Sequence, residues 1–206
     1  ISNTNRKNEW SEKVLNSLKT RPIEYIGSFE TSGVLNVSDP CYELGTWCTH
    51  TLSVRPGTYR AYVEPSDEGV WGDRNASLII SFDGIEYDRS KETRTEAEIG
   101  VDSGQAGFFD RIYYPKEETG AYGDTNTFYG KACEQTNNAF QAGIVENFGV
   151  VSSSGYGDGG YALYIVLTDG EITGARIEFI SEETDPEQVH DDGVREEIEG
   201  ENFSFV

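Results

Sequence analysis

Three side chains could assemble a nucleophile. Cys41 follows Asp39-Pro40 at a turn stiffened by the proline ring, His50 comes shortly after it, and Asp102 is available to orient the imidazole. Thiol catalysis needs a base within hydrogen-bonding reach of the sulfur and a third group that fixes the base. The other histidine, His190, sits in an acidic C-terminal stretch. Cys41 and His50 are thus the candidate catalytic pair of a small hydrolase. Against that stands the commoner fate of a free cysteine, a small apolar side chain half-buried beside a turn.

Carboxylates suggest a second chemistry. Asp39, Asp102, Asp110 and Asp158 lie at the ends of apolar runs, and brought together they would offer hard oxygen ligands to a divalent cation such as Ca2+. No D-x-D-x-D-G loop occurs, and the Phe108-Phe109 pair before Asp110 reads as a core anchor. The expectation is either no cofactor or such a cation. In the structural alternative, Asp39 and Asp158 bond the amides of their own turns.

A third chemistry belongs to "SSSGYGDGGY", residues 152–161. Successive amides in a glycine-rich turn, with the Ser152, Ser153 and Ser154 hydroxyls, could form an anion nest; Asp158 opposes a phosphate there unless it contacts a ribose or base, and a small polar ligand stacked on Tyr156 or Tyr161 is the other form of the site. The loop has neither the lysine nor the helix start of a P-loop, and a tight connection between strands accounts for the same glycines. Three other segments share its character: "VSDPCY" at 37–42, "EGVWGD" at 68–73 and "GVDSGQAGFFD" at 100–110. All four adjoin expected strands, and strand ends of one sheet converge on one rim. The candidate ligand-binding residues are accordingly Asp39, Tyr42, Trp71, Asp102, Ser153, Ser154, Tyr156 and Asp158.

In combination, "SDPCY", "DSGQAGFFD" and "SSSGYGDGGY" leading into "YALYIVLTDGEITGARIEF" resemble an uncharacterised family of small bacterial and bacteriophage proteins, a domain of unknown function. The likeness covers roughly residues 27–180. It implies a bacterial or phage-associated, cytoplasmic setting and no particular activity.

The elements that must position these residues are mostly strands. Residues 23–30, 33–39, 50–54, 58–64, 76–82 and 97–101 are short runs rich in β-branched and aromatic residues, bounded by turn residues. Arg55-Pro56-Gly57 suits a hairpin turn. Thr168-Asp169-Gly170 is a stronger hairpin signal, joining an apolar strand, read as central, to one that alternates between a buried and a wet face. Residues 86–96 read as a solvated connection and 111–147 as loop-rich. Before them, Trp10, Val14 and Leu18 make one stripe of a short helix over 8–18, capped by Asn8.

Composition agrees. The chain has 206 residues, 36% of them hydrophobic, with 23 Gly, 12 Tyr and 10 Phe, a balance that favours strands and glycine turns. Net charge is −21: +3 in residues 1–21, −9 in residues 181–206, and therefore −15 between them. Such a surface opposes duplex nucleic acid and suits either plain solubility or a charge mimic that occupies a basic partner. Three cysteines, Cys41, Cys48 and Cys133, fit reduced thiols, with a Cys41–Cys48 bridge open as an alternative. Sequons at Asn36, Asn75 and Asn202 occur at about the chance level. No apolar run reaches the roughly 20 residues of a membrane span. The first residue is Ile1 and the chain holds no Met, which leaves open the prior removal of an initiator or leader.

The expected fold is therefore α+β and β-rich: a single antiparallel or mixed sheet or a sandwich over 23–180, a helical basic segment over 1–22 and an acidic extension over 181–206. The expected function is non-enzymatic recognition of a host protein or small polar ligand through the glycine- and aspartate-rich rim, with no membrane partner. A small hydrolase and a structural subunit that forms a homo-oligomer by strand addition are the alternatives. A cytoplasmic location is expected, with secreted and virion-associated locations open.

Overall fold

In the computed structural model of the chain, residues 22–181 are described; the expected helix over 8–18 and nearly all of the acidic extension lie outside them. Eleven strands are described: β1 (Glu24–Thr31), β2 (Val34–Ser38), β3 (His50–Ser53), β4 (Gly57–Asp67), β5 (Asp73–Phe82), β6 (Thr93–Val101), β7 (Gln105–Asp110), β8 (Ala142–Val145), β9 (Gly149–Ser153), β10 (Gly159–Thr168) and β11 (Glu171–Glu178), with one α-helix, α1 (Phe128–Gln135), before β8. They form two antiparallel sheets rather than one. Sheet I has the order β1-β4-β5-β11-β10-β6 and sheet II the order β3-β2-β7-β9-β8.

Two sheets follow from where the apolar residues sit. Tyr59, Ala61 and Val63 of β4, Leu78 and Ile80 of β5, and Ala175 and Ile177 of β11 recur at every second position, so they share one face of sheet I. They pack in a single cluster with Leu35, Val37, Phe108 and Val150 from sheet II. This is the core of a β-sandwich. Because successive strand residues point to opposite faces, Phe108 enters that core while Phe109 enters a second one, where Tyr114, Val145, Val151, Phe128 and Ala132 gather beneath α1. Thr127 caps the helix by accepting the Gly130 N–H. Both phenylalanines are fully buried, and sheet II is covered on both sides.

The turn at Arg55-Pro56-Gly57 is a corner, not a hairpin. β3 pairs with β2 in sheet II, whereas β4 pairs with β1 and β5 in sheet I, so the chain changes sheets here. What fixes the corner lies far off in sequence. Val54 makes an isolated parallel bridge to Ile172, the Arg55 N–H donates to the Ile172 carbonyl at 2.9 Å, and Arg55 Nε meets Glu171 at 2.8 Å. The buried Tyr59 hydroxyl then donates back to the Arg55 and Ile172 carbonyls, a tyrosine tie of the kind other β-sandwiches use at a sheet-to-sheet corner. By contrast, Asp169-Gly170 is a true hairpin: both residues have positive φ, at 53° and 82°, as a type I′ turn requires. β10 lies inside its sheet, as its apolar faces imply.

Three further expectations change. Residues 111–147 contain α1 and β8. The sequon asparagines Asn36 and Asn75 are buried, Asn75 donating to the Phe140 carbonyl and to Ser152, so neither stands on an exposed loop. The supposedly wet face of β11 is covered as well. Arg176, 4% exposed, forks onto Glu92 at 2.7 and 2.8 Å, donates to Glu178 and Ser77, and lies 4.2 Å from the centre of the Tyr164 ring. Residues 83–92 fold over it, with Tyr87 donating to Glu92 and resting on Gly174, where a Cβ would meet the ring at 2.9 Å.

That ion pair sets a test. Burial pushes the Glu92 carboxyl up, and its bonds to Arg176 and Tyr87 more than reverse this, holding it below the usual carboxylate range. A depressed folded-state pKa contributes stability that is full above the unfolded value of about 4.3 and is lost as pH falls through the folded value. Urea unfolding at pH 7 should find Glu92→Gln less stable by about 1–3 kcal/mol, since it removes the bidentate acid and leaves the buried Arg176 charge to Glu178 alone. The gap between variant and parent should narrow in acid, below pH of about 4.

Candidate functional site

Five loops gather at one end of the sandwich: 39–49, 67–73, 102–104, 136–141 and 154–158. Asp39 is the residue that binds the first and third together. Its carboxylate is completely buried and accepts four hydrogen bonds, from the Cys41 N–H at 2.8 Å, the Asp102 N–H at 2.9 Å, the Ser103 N–H at 2.7 Å and the Ser103 hydroxyl at 2.7 Å. The turn through Pro40, closed by the Tyr42 N–H on the Asp39 carbonyl at 3.2 Å, puts the Cys41 N–H within reach of the Asp39 carboxylate. The Ser154 N–H donates to the Gly104 carbonyl at 3.0 Å, which brings in the serine-glycine loop. Within that loop the Ser154 hydroxyl donates to the Gly157 carbonyl, and Tyr161 closes it from below by donating to the carbonyls of both residues.

A second buried carboxylate holds the 67–73 loop. Glu68 accepts from the Ser66 hydroxyl at 2.6 Å and from the Tyr156 hydroxyl across the end of the sandwich. Burial and the adjoining carboxylate push the Tyr156 phenol up, so it stays a proton donor to Glu68. The loop therefore has a fixed base while its tip projects: Val70 is 99% exposed and Trp71 41%. On the 39–49 loop Trp47 is 93% exposed. Exposed tryptophans on an anchored backbone are the kind of group that serves as the anchor of an interface.

The expected convergence of the four glycine- and aspartate-rich segments is present, with one exception. Asp110 lies at the opposite end of β7, where its carboxylate accepts from the Ile112 N–H at 2.8 Å and from the Ser32 N–H of the β1–β2 corner. It cannot join Asp39, because β7 runs the length of the sheet between Asp102 and Asp110. Asp102 and Asp158 are exposed at the loop end, and Asp39 is beneath them. The Asp39 oxygens face N–H and O–H hydrogens, an electropositive lining that suits a carboxylate and opposes a cation. Among the described residues, no three His, Cys, Asp or Glu side chains come together as a cation cage.

Cys41 sits half-buried in the same place. Burial pushes its thiol up first, and the hydrogen bond and charge of Asp39 and the charge of Asp102 push it further. A reactive cysteine needs the opposite, an electropositive setting that favours thiolate. His50 starts β3 with its backbone opposite Val37, and the groups around the Cys41 sulfur are Asp39, Asp102 and Ser103. Cys48 is buried and unbonded to Cys41, packed where Gly100 leaves room: a Cβ there would lie 2.7 Å from that of Cys48. Ser153 and Tyr42 are half-buried; burial and the neighbouring Cys48 push the Tyr42 phenol up to about 12.

Sequence reasoning missed the polar group under this end. Gln105 donates to Cys133 at 3.3 Å and accepts from Thr136, while Tyr129, raised to about 12 mainly by burial, reaches Ser103 and Cys133. Glu68 was within reach, since it opens the "EGVWGD" segment and follows Ser66 at the spacing of a local side-chain bond. Tyr129 and Gln105 carry no local signal at all.

Two outcomes check this description. Asp39→Ala should destabilise the chain by roughly 3–5 kcal/mol in urea unfolding, because it leaves several buried donors without acceptors. Alkylation of Cys41 at pH 8, followed by peptide mass, should be slower in the folded chain than in urea. A faster reaction in the folded chain would contradict the electronegative setting described.

Compared with family models, with curated proteins and with solved structures, the chain finds no match in any of the three.

Proposed function

We propose that this chain is a non-enzymatic recognition protein whose loop-bearing end contacts a host protein or a small polar ligand in a bacterial or phage-associated setting. The observation that carries the reading is the contrast between base and tip in the 67–73 loop: a buried Glu68 clamped by Ser66 and Tyr156, and Val70 and Trp71 held outward. A preorganised apolar tip binds without losing much conformational freedom on contact. Acids outnumber bases around it: Asp67 and Asp73 are on the same loop and Asp102 and Asp158 on its neighbours, beside Arg74, whose Nε donates to the Trp71 carbonyl.

That mixture favours a basic partner. With −15 on residues 22–180, long-range attraction would steer a positively charged surface toward the chain, and the tip would supply the short-range contact. The sharpest form of the reading is an acidic mimic that occupies a nucleic-acid-binding surface. A thiol hydrolase fits less well, since carboxylates rather than cations surround Cys41.

The experiment is affinity capture from bacterial lysate by the full chain, beside a Val70→Ser/Trp71→Ala variant. A specific partner should be retained by the parent, lost about tenfold or more by the variant if the tip is a hot spot, and released steeply by salt. Equal retention by both would remove the loop end from the contact.

A further inference from the structure

Trp47 and Trp71 stand on opposite sides of a strip of bare backbone. The strip is the 102–104 and 154–158 turns, which meet through glycine: the Cα of Gly157 lies 3.9 Å from where a Cβ on Gly104 would stand, and a Cβ on Gly157 itself would meet nothing within 4 Å. On one side the 39–49 loop, which carries Trp47, is tied to β6 and its turn by the amides on Asp39 and by the Gly100 N–H on the Cys48 carbonyl. On the other the 67–73 loop, which carries Trp71, joins β4 to β5 and is tied to the strip by Tyr156 on Glu68. The five loops of this end hold no lysine or arginine, and Glu43, Asp67, Asp102 and Asp158 are exposed on them. Arg74, next to the 67–73 loop, turns its Nε onto the Trp71 carbonyl. The described chain also ends here: Ile180 packs at the Gly155 turn, and the acidic residues 181–206, net −9, follow it.

The width of the strip selects what can lie on it. Trp47's loop borders β6 and Trp71's loop caps β5, and the order β5-β11-β10-β6 puts three strand spacings between them, about 14 Å in all. A single small ring is too short to touch both tryptophans, whereas an extended peptide, advancing about 3.3 Å per residue, crosses in about five residues. We infer that the loop end takes an extended, arginine-bearing segment of a protein partner, laid from Trp47 across Gly104 and Gly157 to Trp71. A contact of this form presupposes the loop end as the recognition surface. Alternate residues of an extended chain face the same way, so three arginines with one residue between each would all face the protein, the outer two on the indoles and the middle one between Asp102 and Asp158. Guanidinium suits both places, because it stacks flat on an indole and forks onto carboxylates.

The probe is the capped peptide Arg-Gly-Arg-Gly-Arg, titrated calorimetrically into the full chain at low salt, beside Arg-Arg-Arg-Gly-Gly, which has the same composition and charge but bunches its arginines. The alternating peptide should bind tighter by about fivefold or more, and Trp47→Ala and Trp71→Ala should each remove most of that advantage. Both side chains are exposed, so the variants should keep the parent's far-ultraviolet dichroism. Lysine in place of every arginine should weaken the alternating peptide by about threefold or more. Equal affinity for the two arginine peptides overturns the inference, and so does an advantage that ignores either tryptophan, because charge alone, that of the acidic C-terminal stretch included, then accounts for the binding. A lysate partner whose capture depends on Val70 and Trp71 while neither arginine peptide binds overturns the peptide form alone and leaves recognition by the loop end in place.

Discussion

A carboxylate with no solvent to hydrate it must find donors, and Asp39 finds four of them on two different loops. This requirement organises the end of the sandwich: Asp39 cannot be buried unless the Asp102-Ser103 amides reach it, and those amides are presented only when β6 turns tightly into β7. That turn joins the two sheets, since β6 is an edge of sheet I and β7 the centre of sheet II. One buried charge therefore reports on the registration of both layers. The serine-glycine loop depends on it at one remove, through the bond from Ser154 to Gly104.

Glu68 and Arg176 repeat the principle at two other places. Each is a charged or polar group kept from water and satisfied by partners distant in sequence, Glu68 by Tyr156 and Arg176 by Glu92. Among the described residues, every buried side-chain nitrogen or oxygen has a partner. Such networks cost a great deal when half-made and add rigidity when complete. They fix the base of the 67–73 loop, whose tip residues Val70 and Trp71 are exposed.

Much of the strand content was legible because its signals are local. Asp169-Gly170 dictates a type I′ hairpin whatever lies around it, and the alternation of Ala175, Ile177 and Phe179 dictates a buried face. The division into two sheets was not legible. β1 and β2 are separated by only Ser32 and Gly33, and nothing in that stretch says that they part to different layers; the Asp110 carboxylate, accepting from the Ser32 N–H, holds that corner from afar, as the Ile172 carbonyl holds the one at Arg55. The covered face of β11 was hidden for the same reason: arginine in an alternating strand reads as exposed until the connection carrying Tyr87 and Glu92 is seen to fold back. The site was half legible. Glycine and aspartate marked the loops that meet, while the roles of Asp39, Asp102 and Asp110 depended on which end of a strand each occupied.

The narrow sides of the sandwich remain. At one of them Ile144 of β8 fills the space beside Gly27 of β1, and the Glu30 N–H donates to the Asn147 carbonyl; at the other, the Gly100 N–H of β6 donates to the Cys48 carbonyl. The borders of the two sheets are thus partly sutured to each other, and the outer strands of sheet II, β3 and β8, are only four residues long. A free backbone ladder is what lets sheets recruit further strands and grow into fibres. Here the edge ladders of sheet II are short, and those of sheet I, eight residues in β1 and nine in β6, are each partly spent on the facing sheet, so seams as well as charge oppose cross-β growth in a protein with many tyrosines and phenylalanines.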